Sequence, residues 1–140
     1  MVSRTLKVWR KRPLRLSLRM LGRSPPPASH MAIFEPDWKH LRSLHPLALE
    51  RFCERVLAEC TAAIQDESLS PHARYLQLYE LIRERDRTIA SAFDGLRRST
   101  AIEQLADMHR LKLLSEDEFD RFSAETRAEV LRISVPALDT

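Results

Sequence analysis

The clearest pattern along the chain begins at Pro46. Leu49, Phe52, Cys53, Val56, Cys60, Ala63 and Ile64 recur at steps of three and four, the repeat of one face of an α-helix. Pro46 suits the first turn, where a missing N–H costs nothing, so the repeat predicts a new helix of about twenty residues starting there. Before it, Asp37 stands where it can cap a short helix reaching Leu44, with Trp38 and Leu41 on the apolar side. A second long repeat follows Ser70-Pro71, an N-cap followed by a first-turn proline. Its apolar line is Tyr75, Leu78, Tyr79, Ile82, Ile89, Phe93 and Leu96, read as the inner stripe.

Beyond that line two readings stay open. Gly95 weakens the helix without obliging it to end, and Thr100 with Glu103 spells a capping box for a fresh start. One helix running on to Leu111 fits the apolar positions Ala101, Ile102, Leu105 and Met108 equally well. The C-terminal part is less ambiguous. Ser115 and Glu118 form a capping box, and Glu116 and Asp117 add negative charge where the helix dipole is positive. Phe119 and Phe122 point to the core. Ser123 then caps a last helix with Ala124, Ala128, Val130, Leu131 and Ile133 on its apolar side, ended by Val135-Pro136. The predicted fold is all-α: a small bundle of two long antiparallel helices, a third helix packed on them, and a short C-terminal helical hairpin.

Composition supports this and removes several functions. Two glycines, Gly22 and Gly95, are too few for sheet turns, phosphate-cradling loops or dinucleotide fingerprints. The net charge of +3 hides an asymmetry: residues 1–30 hold eight Lys or Arg and no acid, leaving 15 basic and 20 acidic residues behind them. The chain therefore divides into a basic arm, 1–30, and a mildly acidic helical domain, 31–140. The arm has an alternating Leu14-Arg15-Leu16 pattern without a partner strand, then Pro25-Pro26-Pro27, and is expected to be disordered. Translation starting at Met31, a targeting segment, and a true basic arm all fit it. Lys7, Trp9, Arg10, Lys11 and Arg12 are its candidate grip on nucleic acid or an anionic membrane, combining phosphate neutralisation with stacking.

Cys53 and Cys60 lie two turns apart, about 10 Å along one helix, too far to bond to each other. Two free thiols point to a reducing compartment, hence a cytoplasmic protein. No three of the five histidines show metal-ligand spacing, and no nucleophile–base motif is present, so neither a metal nor another cofactor is expected. One polar constellation remains. Asp86, within "RERDR", falls on the line of Tyr75, Tyr79 and Ile82, where a carboxylate is expensive unless paired. It is either a boundary ion pair with a neighbouring arginine or, together with Tyr75 and Tyr79, an acid in an enzyme site.

Ala101 to Leu131 resembles the short C-terminal domain (SHOCT) family, a helical hairpin whose first helix leads through a Leu/Ile-Thr/Ser-x-x-Glu-Phe turn into a second. Leu105, Leu114, Ser115, Glu118 and Phe119 carry the likeness, while Lys112 and Leu113 stand where the family usually has a glycine. That resemblance implies oligomerisation or partner binding without chemistry. The sequence thus predicts a non-enzymatic intracellular module that binds a protein partner or itself. Phe119, Phe122, Arg127 and Leu131 are the candidate contact residues. A regulator using the basic arm is the alternative, and an enzyme using Asp86 the third reading.

Overall fold

The computed structural model describes residues 31–135, and all the secondary structure within them is helical. Five helices follow in order: α1 (Glu35–Gln65), α2 (Pro71–Phe93), α3 (Ala101–Arg110), α4 (Glu116–Asp120) and α5 (Ala124–Ser134). The first two are long and antiparallel, joined by a tight loop. The last three are short and pack on the N-terminal half of α1 and the C-terminal half of α2. Leu41, Leu44, Ala48 and Phe52 from α1 meet Ala92 and Phe93 from α2, Ile102, Leu105 and Met108 from α3, and Phe122 and Val130. The bundle predicted from the sequence is the bundle formed.

The structure corrects or completes the sequence reading at three places. The first is at Pro46, which lies inside α1 rather than opening a new helix. An interior proline removes one hydrogen bond and crowds a carbonyl, at about 3 kcal/mol in an unsupported helix. Here both flanks are held: Leu44 and Ala48 are buried, and His45 Nε2 donates to the carbonyl of Phe93 at 2.9 Å. Asp37 consequently caps no short helix of its own. Phe34 occupies the N-cap of α1 without a side-chain bond, and Asp37 is buried one turn further in.

The second boundary settles the open choice at Gly95. Helix α2 ends at Phe93, and Gly95 takes φ +65°, the left-handed conformation in which a side chain would be strained. Thr100 precedes α3 but makes no cap to it. Its hydroxyl instead accepts from the N–H of Arg97 at 3.2 Å, and Gln104, buried on α3, donates to the carbonyl of Asp94 at 2.8 Å. The third concerns α5. Thr126 and Val130 are its buried residues, with Ile133 packed alongside, whereas Ala124, Ala128 and Leu131 face outward. A threonine anchors that face because its hydroxyl has a buried carboxylate to bind, described below. The helix end matches expectation, with Val135 as C-cap.

Helix α3 closes with a full Schellman motif. Leu113 N–H bonds to Met108 O and Lys112 N–H to His109 O, both at 3.0 Å. Lys112 sits in the left-handed region at φ +58°, a position where glycine is the usual occupant. The chain then enters the capping box of α4, complete as the sequence reads: Ser115 Oγ accepts from Glu118 N–H, and Glu118 accepts from Ser115 N–H.

Candidate functional site

One stripe of α1 supplies the polar groups that close the other helices. Asp37, His40, His45, Arg51 and Arg55 fall at steps of three to six on the face that also carries Leu41, Leu44 and Ala48. Asp37 is only 3% exposed, and its carboxylate accepts from Ser123 N–H at 3.0 Å, Ser123 Oγ at 2.6 Å and Thr126 Oγ1 at 2.6 Å. It therefore sits at the positive end of α5 with three donors aimed at it. His40 donates Nε2–H to Glu118 O at 2.8 Å while its ring packs 4.5 Å from that of Phe122. His45 closes the end of α2 by its bond to Phe93 O.

Arg51 and Arg55 close α3. Arg55 reaches the carbonyls of Leu111 and Lys112, and Arg51 reaches that of Leu113 at 2.8 Å. Cations belong at this negative end of a helix. Arg51 also grips Glu118 with both nitrogens, at 2.7 and 3.1 Å. This fork, ahead of the bonds from Ser115, holds the Glu118 carboxyl down at about 2. Sequence reasoning missed these roles because each charge lies on a helix that reads as simply amphipathic. The available signal was charge on the apolar side of the repeat, above all Asp37 three residues before His40-Leu41.

The residues singled out from the sequence fall into separate places. Phe122 is 2% exposed and Phe119 packs against the core, its ring 4.4 Å from that of His109. Arg127 is half-buried and pairs with Asp120 at 3.5 Å, and Leu131 is 45% exposed. Tyr75 and Tyr79 were expected on an inner stripe and are instead 63% and 48% exposed. The reason is the side on which the short helices pack: α3 lies against the opposite side of the hairpin and toward the half of α2 that contains Phe93, so Tyr75 and Tyr79 have no third layer over them. Asp86 is half-buried on α2, and these outward tyrosines build no enclosed polar site with it. Lys7, Trp9, Arg10, Lys11 and Arg12 lie outside the described residues.

Among the described residues no three of His, Cys, Asp and Glu gather as metal ligands. Burial raises both thiols, with help from Glu50 at Cys53 and Glu59 at Cys60, which favours the unreactive protonated form. Asp107 is also raised, mainly by burial, but Arg110 and the Ser91 hydroxyl hold it from the other direction. A shallow open depression lined by His109, Ser115 and Phe119 has its serine committed to the capping box.

What the structure does present is an apolar face. The C-terminal half of α1 and the N-terminal half of α2 form a hairpin extending past the core, tied by Glu59 with Arg85 at 2.7 Å and by Arg74 with Ile64 O at 2.9 Å. Leu57, Ile64, Tyr75, Leu76 and Tyr79 stand on it with 65, 54, 63, 48 and 48% of their surface open. Their placement follows from the helical repeat of 100° per residue. A quarter turn along the winding of α1, from Val56 and Ala63 toward the next line of residues, reaches Leu57 and Ile64. The same quarter turn on α2, starting from Leu78 and Arg85, reaches Tyr75 and Tyr79. In antiparallel helices these two turns lead to one side of the hairpin. That side lies opposite to the one where Arg51 and Arg55 hold α3.

No protein-family model, curated protein or solved structure matches the chain. No helix among the described residues is long and apolar enough to cross a membrane.

Proposed function

We propose that the chain is a non-enzymatic helical interaction module of the cytoplasm whose working surface is the hairpin face of Leu57, Ile64, Tyr75 and Tyr79. One observation carries this: large apolar side chains cluster, open to solvent, at the part of the molecule that its own core leaves uncovered. Soluble monomers rarely expose a contiguous apolar patch beyond a few hundred Å² unless something binds there. Tyrosine suits such a face, since it brings contact area at low entropic cost and tolerates water when unbound. The likeness of Ala101–Leu131 to the SHOCT pattern agrees with a binding role.

The test is a thermal melt of Leu57→Ser combined with Tyr79→Ser, followed by helical circular dichroism at low protein concentration. A free docking face predicts a midpoint equal to the parent's within about 3 °C, as surface changes usually stay within about 0.5 kcal/mol each. A drop of more than about 8 °C would mean that these side chains belong to the fold, and the reading would fail.

A further inference from the structure

We propose that the occupant of the hairpin face is the same face of a second copy, the two hairpins pairing antiparallel as a four-helix bundle. This rests on the docking reading above and names its partner.

Three observations favour a second copy. The first is area. The four open side chains on this side, Leu57, Ile64, Tyr75 and Tyr79, expose on the order of 400 Å², taking roughly 180 Å² for each when fully open, and Leu76 borders them. With half-exposed Ile82 and Cys53 and a rim of Glu54, Thr61 and His72, the face approaches the roughly 800 Å² each partner contributes to a stable interface. The second is shape. A pair of antiparallel helices with one apolar side is half of a four-helix bundle, and a two-fold axis through the middle of the face completes it with an identical half. The third is the arrangement of charge. Leu57, Ile64, Tyr75 and Tyr79 are uncharged, while Arg83, one turn past Tyr79, and Asp86, on the Tyr75–Tyr79–Ile82 line, stand with Glu50 and Glu54 toward the core end of the face. Antiparallel pairing lays each Glu54 over the loop end of the other copy, near His72. Parallel pairing sets the same acids level with each other.

Sedimentation equilibrium of the full chain from about 1 to 200 µM tests this. We expect the apparent mass to climb with concentration from 16.3 kDa toward twice that value. Leu57→Glu with Tyr79→Glu, which sets four charges in the paired face, should raise the dimer dissociation constant more than about 100-fold. Its helical signal and low-concentration melt should be retained. A parent chain that stays at 16.3 kDa throughout overturns the second copy as occupant, and so does a double variant that dimerises as tightly as the parent. The docking reading survives either result provided the substitutions leave the melt in place. If the double variant also loses helix at low concentration, the face is structural and both proposals fall.

Discussion

Three single residues show how the ends of the sequence signals were overridden by packing. Pro46 reads as a helix start and lies mid-helix, because the bonds and contacts on either side outweigh one missing hydrogen bond. Pro46→Ala returns an N–H to the carbonyl of Arg42 and should raise urea stability by about 1–3 kcal/mol, less than the full host–guest value since the flanks already hold the turn. Asp37 reads as a cap for its own helix and instead serves α5 across the molecule. Its removal strands three donors, so Asp37→Ala should cost about 3–5 kcal/mol in the same assay, far beyond a local cap. Lys112 holds a left-handed backbone at φ +58°, and Lys112→Gly should stabilise by about 0.5–1 kcal/mol despite the loosened unfolded chain. A loss would mean that the lysine side chain matters more than its backbone strain.

Among the elements, the short α4 was legible in full, since its capping box is written within four consecutive residues. The clamp from Arg51 was not, because it joins positions 67 residues apart. That clamp has a pH signature. Glu118 is held at about 2 when folded against an ordinary 4.5, so its contribution to stability is complete above about pH 4.5 and fades as pH falls toward 2. Denaturant midpoints between pH 5 and 2.5 should therefore decline less steeply for Glu118→Gln than for the parent, after a loss at pH 7 on the order of 1–3 kcal/mol. Parallel pH curves would show that the fork contributes nothing measurable. The final helix was only half legible: its N-cap Ser123 is explicit, but choosing Thr126 over Ala124 and Ala128 for the buried face required knowing that Asp37 waits beneath.

For the whole molecule, the periodicity of apolar residues was enough to order the helices and pair the long ones. It was not enough to say which side of them the short helices cover. A stripe such as Tyr75–Tyr79–Ile82 has the same repeat whether a third layer covers it or not, so core and docking face look alike in sequence. The structure separates them. The stretch of α1 from Asp37 to Arg55 is fastened by its own polar side chains to every other helix, and the remainder makes a hairpin with α2 that has little behind it. Amide hydrogen exchange, at a concentration where the chain is monomeric, tests that division most directly. Leu41–Phe52, Ile102–Met108 and Val130 should exchange only through global unfolding, while Leu57–Ile64 and Tyr75–Ile82 should exchange through local opening at lower free energy. Equal protection along the whole of both long helices would contradict that division.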